Sequence, residues 1–332
     1  MKMRLMTILL CALLLTACQP EPEARPTRTP QPTPAPPSAL SDDEVLILTA
    51  GRGRDRVLTA YNMTTDAQRV LIDNVRDFVG SGGFQEVPVR SPDGTLLAAA
   101  IQVIRDIPGG FTTDNAGIWV AGLDGTDRRE VAVPEGNAEF SDPAWSPDGT
   151  RIAFTTSRFG GRLLVADLAT GEVTALLPED INGRNVSWSP DGTKVAYNDD
   201  RRDSENVLTR GIYFYDFASA TESPVYVDRD VNLLGVAWSP DSQRLTFIRN
   251  AYKKDLQEVY VVNLDGSDLQ NMTPGQAFAY DPQFAPDGAT IAFNDYDSEA
   301  KTYHLAVLTL DGSGERVRKL ELPGNRSGPQ WE

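Results

Sequence analysis

One short phrase recurs along this chain and constrains what it can fold into: an apolar residue followed by Ser-Pro-Asp-Gly or a near copy. The copies are Arg90-Ser91-Pro92-Asp93-Gly94, Trp145-Ser146-Pro147-Asp148-Gly149, Trp188-Ser189-Pro190-Asp191-Gly192, Trp238-Ser239-Pro240-Asp241-Ser242 and Phe284-Ala285-Pro286-Asp287-Gly288. Arg90 breaks the rule by standing where the others carry an aromatic residue. A partial sixth copy, Pro329-Gln330-Trp331-Glu332, ends the chain. The five turn aspartates are separated by 55, 43, 50 and 46 residues. That period belongs to β-propeller blades rather than to short solenoid repeats.

Each repeat reads as four strands. Proline pre-sets φ at the second turn position, aspartate suits the third, and glycine takes the positive φ at the exit, so the phrase is a tight hairpin turn. Apolar or alternating runs follow, such as Arg151-Ile152-Ala153-Phe154-Thr155, and then a second run such as Glu258-Val259-Tyr260-Val261-Val262. An Asp-Gly turn (Leu123-Asp124-Gly125, Leu264-Asp265-Gly266, Leu310-Asp311-Gly312) leads into the fourth strand. Residues 43–75 supply three strands with no innermost partner, and Pro329-Gln330-Trp331 is an innermost strand with nothing after it. The expectation is all-β: a six-bladed β-propeller of four-stranded antiparallel blades over 42–332, closed by the C-terminal strand, which removes open edges. The once-per-blade aromatics Trp145, Trp188, Trp238, Phe284 and Trp331 are expected to pack between blades.

The Trp-Ser-Pro-Asp-Gly-x-x-Ile-Ala-Phe pattern, followed by an aromatic strand and a Leu-Asp-Gly turn, resembles the WD-repeat-like propellers of the TolB type and of the non-catalytic domains of prolyl-oligopeptidase-type enzymes. The resemblance covers about residues 42–332 and implies the propeller fold. In place of the small α/β domain that precedes the propeller in the TolB type, this sequence has a proline-rich stretch.

Ahead of the repeats, Lys2 and Arg4 precede the apolar run Leu5 to Leu15, too short to span a bilayer and of signal-peptide length. Leu15-Thr16-Ala17-Cys18 then looks like a bacterial lipobox. Residues 1–17 are expected to be a lipoprotein signal peptide and Cys18 the lipidated residue, which anchors the chain outside the cytoplasm at the cell membrane or outer membrane. Residues 18–41 form the linker; its eight prolines (Pro20, Pro22, Pro26, Pro30, Pro32, Pro34, Pro36 and Pro37) make it an extended tether reaching up to about 70 Å. The two cysteines, Cys11 and Cys18, leave no disulfide in the mature chain. With 31 basic and 47 acidic residues the net charge is −16, which repels phosphate backbones and makes nucleic acid an implausible partner.

Catalytic motifs are mostly absent. The one histidine, His304, rules out a multi-histidine metal site, no Gly-x-Ser-x-Gly elbow occurs, and Gly51-Arg52-Gly53 lacks the third glycine of a dinucleotide loop. Asp295-Tyr296-Asp297-Ser298-Glu299 places oxygen ligands at alternate positions but lacks the central glycine of a calcium loop. No cofactor and no metal are expected.

Function is therefore sought on the face that carries the irregular connections, such as Gln102 to Gly117, Asp199 to Arg210 and Asn250 to Asp255, since variable loops on a repeated scaffold are where binding resides. Glu86, Asp142, Asn185 and Asp281, just before the innermost strands, are expected to ring the channel mouth on that face. Arg201, Arg202 and Tyr252 are expected to join them from the loops. The leading expectation is a monomeric, non-enzymatic, lipid-anchored module that binds a protein, peptide or glycan of the cell envelope. The alternative is an enzyme of glycoside hydrolase or lyase type, with Asp142 and Asp281 as acid and base on an envelope polymer.

Overall fold

The computed structural model describes residues 44–50, 56–62, 68–72, 83–84, 317–320 and 326–327, together with 88–310 apart from short breaks at 103, 108–109, 114–116, 124, 135–138, 158–160, 178–180, 182, 252–255, 276–277 and 300–301. The expected signal peptide, the proline-rich linker, Cys18 and Trp331 lie outside the described residues.

Among the described residues the ordered structure is all strand, and every named strand pair is antiparallel. Five sheets have four strands, and in four of these the strands follow sequence order from the inside out. Four of them begin on the inner strands Glu139–Trp145, Arg184–Trp188, Val231–Trp238 and Ala279–Phe284. The fifth joins the two ends of the repeat region. Arg326–Ser327 pairs with Glu44–Ala50, which continues into Arg56–Asn62 and Gln68–Ile72.

The expectation of six four-stranded blades is corrected to five. The segment containing Arg90 instead forms a five-stranded sheet in which the inner position is split between Gly83–Phe84 and Val89–Arg90, both paired to Leu96–Gln102. A separate hairpin, Ile104–Ile107 with Gly110–Thr113, follows it. Closure by the C-terminal strand is seen in Arg326–Ser327, whereas Pro329-Gln330-Trp331 lie outside the described residues. Ser327 pairs with Leu48 just as Ser141, four residues before Trp145, pairs with Thr155.

The turn phrase is built as its residue types dictate. The serine hydroxyl donates to the aspartate at 2.6, 2.5, 2.7 and 2.5 Å in the Ser91, Ser146, Ser189 and Ser239 copies. The same carboxylate accepts the backbone N–H two residues on, at 3.0 Å in the Asp93 and Asp148 copies. The exit residue has φ of 67° at Gly94 and 68° at Gly149. Ser242 holds the same conformation, φ 58°, where glycine would be unstrained. Its hydroxyl earns the place by accepting the Asp191 N–H of the neighbouring sheet at 3.1 Å.

Sheets pack face to face through one aromatic per second strand: Phe154, Tyr197, Phe247 and Phe293, all at most 1% exposed. The inner aromatics Trp145, Trp188, Trp238 and Phe284 are buried, as the repeat predicts. Trp145 Nε1 donates to the Val89 carbonyl at 3.1 Å and Trp238 Nε1 to the Ser187 carbonyl at 3.0 Å, so each indole also hydrogen-bonds to the sheet before it.

Candidate functional site

Each of four inner strands breaks register at one place: between Ser141 and Ala144, Arg184 and Ser187, Leu234 and Ala237, and Tyr280 and Gln283. The bulge puts one residue in the left-handed region, namely Asp142, Asn185, Gly235 and Asp281 at φ 54°, 54°, 56° and 49°. Aspartate, asparagine and glycine are the types that tolerate this conformation, so a backbone requirement limits the choice at these positions largely to polar side chains or none. Three of these residues are linked by hydrogen bonds. Asn185 Nδ2 donates to Asp142 Oδ1 at 3.4 Å, and Asn185 Oδ1 accepts the Gly235 N–H at 3.1 Å. A Cβ on Gly235 would stand 3.1 Å from Pro282 Cδ, so glycine there also lets two inner strands approach closely.

The two carboxylates differ in support. Asp142 Oδ2 accepts the hydroxyls of Ser141 and Thr155, each at 3.2 Å, in addition to the Asn185 contacts. Enclosure by the surrounding strands pushes its carboxyl above the usual carboxylate range, against the pull of the Asn185 N–H, these hydroxyls and the charge of Arg184. Enclosure pushes Asp281 up as well, opposed by its hydrogen bond with Asn294 and reinforced by the negative charge of Asp142. The Asp281 residue is nevertheless exposed, so its environment is a solvent-filled space walled by protein, in which water tempers the shift. Thr155 and Asn294 occupy the same register position, opposite the residue before the bulge.

Just beyond these residues the inner strands enclose a central cavity of about 450 Å³. Five prolines of the repeated turns and the ring of Arg90, Trp145, Trp188, Trp238 and Phe284 line it. Pro143 and Gln283, one and two residues after the carboxylates, belong to the same wall. Among the described residues no three His, Cys, Asp or Glu side chains come together as a metal site. Asp295, from the calcium-like stretch, pairs with Lys319 at 2.5 Å, and Asp297 accepts the Glu299 N–H at 2.9 Å.

Of the residues singled out from the sequence, the structure brings together Asp142, Asn185 and Asp281. Arg201 is tied into its own sheet: Nε meets Asp199 Oδ2 at 2.5 Å and the guanidinium grips Glu222 at 2.6 and 2.5 Å. Tyr197 donates its hydroxyl to the same Glu222, and the Tyr213 ring lies 3.9 Å beneath the guanidinium. Arg202 is exposed, with Nη1 donating to the Asn206 carbonyl at 2.8 Å. Glu86 and Tyr252 lie outside the described residues. Sequence reasoning missed Gly235, which signals itself only by standing three residues before Trp238, and Asn198. Asn198 stands where Thr155 and Asn294 stand in their sheets, is 4% exposed, and among the described residues neither side-chain atom has a partner.

No family model matches the sequence. The chain is 25% identical over 236 residues to the uncharacterized peptidase YuxL of Bacillus subtilis (strain 168), a match that covers 67% of this chain and 31% of that protein. The chain thus spans about a third of that relative's length. Among solved structures, TolB from Acinetobacter baumannii aligns with a TM-score of 0.66 at 17% identity, over 88% of this chain and 68% of the other. Oligogalacturonate lyase from Vibrio parahaemolyticus aligns at 0.54 and 14% identity, over 83% and 72%. The fold is that of the TolB-like propellers. The expectation that the chain is not an enzyme is overturned by its sequence relative, which is named a peptidase.

Proposed function

We propose that this protein is an enzyme of carboxylate type that acts on a glycan polymer of the cell envelope through the propeller channel, with Asp281 as general acid and Asp142 as general base. The observation that carries the reading is the equivalent placement of two carboxyls at the register breaks of two inner strands, each held above the ordinary carboxylate range by enclosure, with the charge of Asp142 adding to the rise at Asp281. Two such groups share protons, and the better-solvated donor set decides which keeps the charge. Asp142, with two hydroxyls and Asn185 donating to it, is the ionised partner. Asp281, held by Asn294 and exposed to the channel, is the partner that carries the proton.

In the step that follows, Asp281 gives its proton to the leaving glycosidic oxygen as that C–O bond breaks. Asp142 takes a proton from the water whose oxygen bonds to the anomeric carbon. With one carboxyl as acid and the other activating a water, the scheme is the inverting one. Thr155, Asn185 and Asn294 hold the carboxylates in place and touch no reacting atom. A lipid on Cys18 would keep the channel outside the cytoplasm, beside such a polymer.

The test is release of soluble fragments from isolated envelope polymers by the full chain. Asp142→Asn and Asp281→Asn should each lower turnover by about 10²–10⁴-fold while polymer binding stays within a few-fold, because the lost contribution belongs to the transition state. Fragment release that survives both substitutions would overturn the reading.

A further inference from the structure

The two carboxylates stand at equivalent positions, but the residues just ahead of the bulges do not match. Ser141, Arg184, Leu234 and Tyr280 hold that place in the inner strands, so a hydroxyl, a guanidinium, an aliphatic chain and a phenol occupy one position of the repeat. Arg184 is the charged one. It directly precedes Asn185, whose Nδ2 donates to Asp142 Oδ1 at 3.4 Å. Enclosure raises the Asp142 carboxyl and the charge of Arg184 opposes that rise, so the guanidinium lies within electrostatic reach of the base. Its side chain is 54% exposed, and its partner among the described residues is Asp200, met by Nη2 at 2.8 Å. Asp200 also meets Arg210 Nε at 3.8 Å, so one carboxylate is divided between two cations. Arg201, by contrast, is gripped by two carboxylates. An ion pair as exposed as that of Arg184 with Asp200 adds little to stability, so the fold alone gives weak reason for a cation here.

We propose that Arg184 is a specificity residue: the polymer contains an acidic sugar, and Arg184 holds the carboxylate of that sugar beside Asp142. The inference rests on Asp142 and Asp281 acting as base and acid, and it names the class of sugar they act on. A guanidinium carries its N–H donors in one plane that suits a carboxylate, and the bond to Asp200 engages one Nη of an exposed group. A neutral sugar gains nothing from the cation. An acidic one needs it, because a chain of net charge −16 repels an anion that meets no local positive charge. The same cation orients the sugar, since an acid group turned away from Arg184 faces the charge of the base instead. Arg184 touches no bond that breaks or forms; it decides which sugar lies against the groups that do.

The probes are a β-1,4-linked mannuronate tetramer and β-1,4-mannotetraose, which share sugar and linkage and differ in bearing a carboxylate or a hydroxymethyl group. Binding to the full chain is read by calorimetry. In about 0.05 M salt the mannuronate tetramer should bind about two- to fivefold more tightly than mannotetraose, and the preference should shrink in about 0.5 M salt as the charge is screened. Arg184→Gln should abolish the preference by weakening the acid and leaving the neutral tetramer unchanged, whereas Arg184→Lys, which keeps the charge, should retain most of it. Arg202→Gln takes the same charge from an exposed arginine of the same sheet and should leave the preference intact. Melting curves check that all three variants fold. Equal binding of the two tetramers, or binding of neither, would overturn the proposal. A preference that survives Arg184→Gln, or that Arg202→Gln removes as well, would overturn Arg184 as its source. Binding is read without turnover, so a lost preference leaves fragment release by Asp142 and Asp281 to its own test, and failure of that pair leaves the binding result standing.

Discussion

The two ends of the propeller channel are built from the same inner strands and obey opposite rules. At one end the Ser-Pro-Asp turns are nearly identical, because each residue is needed for local geometry: proline for φ, serine and aspartate for a short mutual hydrogen bond, and a positive-φ residue to close the loop. At the other end the repeat demands only one residue at positive φ, and Asp142, Asn185, Gly235 and Asp281 all satisfy it. The first constraint fixes side chains, whereas the second fixes the backbone and leaves the side chain to choose among acid, amide and nothing. Chemistry can differ from sheet to sheet only where the repeat is permissive, and that is where the carboxylates stand.

The largest effect that would sharpen this contrast separates two adjacent arginines on the permissive end. Variation there is not the same as freedom: Arg201 pairs with Asp199, whose side chain is fully buried, and grips Glu222, while Arg202 is exposed. Arg201→Glu puts a third carboxylate beside two and leaves Asp199 without its cation. A loss of ~2–4 kcal/mol is expected, somewhat below the ~3–5 kcal/mol of a fully buried pair, since Arg201 keeps 29% exposure. Arg202→Glu should stay within about 0.5 kcal/mol. Denaturant unfolding of both variants reads the difference, and equal losses would mean that the ion-pair cluster contributes no stability.

A smaller effect tests the uniform end. Ser146 Oγ is fully buried, donates to Asp148 at 2.5 Å and accepts the Arg151 N–H at 2.9 Å. Ser146→Ala removes both bonds at once and should cost about 1–2 kcal/mol with no change in fragment release. A stability unchanged within error would show that the phrase recurs for a reason other than its hydrogen bonds.

How much could be read from the sequence follows the same division. The turns were legible because every determinant lies within five residues, and so were the three strands between 43 and 75, observed as Glu44–Ala50, Arg56–Asn62 and Gln68–Ile72. The sheet that contains Arg90 was not legible: its inner position is shared by two short pieces, a tertiary outcome that no local phrase encodes. That Asp142, Asn185 and Asp281 share one position in their repeats was legible because each stands three residues before an aromatic, and Gly235, three before Trp238, escaped because it offers no functional group. Arg201 was misread as a loop-face contact, since its partner Glu222 is 21 residues away and meets it only across the sheet. Tyr197, Asp199 and Arg201 at alternate positions were the available sign that one face of that strand carries a network. The enzymatic reading stood only as the alternative, because no motif supported it, yet groups placed once per repeat never form one.

The smallest effect is the most diagnostic, because it turns on sign. Asp281 is held above its ordinary range by enclosure and by Asp142, so the folded protein binds its proton more tightly than the unfolded chain does. Its contribution to stability is fully present below the ordinary aspartate pKa of about 3.9 and is lost as pH rises through the raised value. Asp281→Asn, which carries no charge at any pH, should therefore be more stable than the unaltered chain at neutral pH, with the advantage vanishing in acid. Asp228, at the end of an outer strand, gives the opposite case. Burial opposes its charge, but the Asp230 N–H, the Tyr226 hydroxyl and the Arg249 guanidinium outweigh it and bring the carboxyl down to about 2. That contribution is present above the ordinary range and lost as pH falls toward 2, so Asp228→Asn should destabilise at neutral pH and do little at pH 2. Melting temperatures of both variants across pH 2 to 8 make the comparison. Curves that diverge from wild type in opposite directions at neutral pH support a strained channel carboxylate beside a relaxed structural one, and a destabilised Asp281→Asn would show that this carboxylate holds the fold together instead of being held by it.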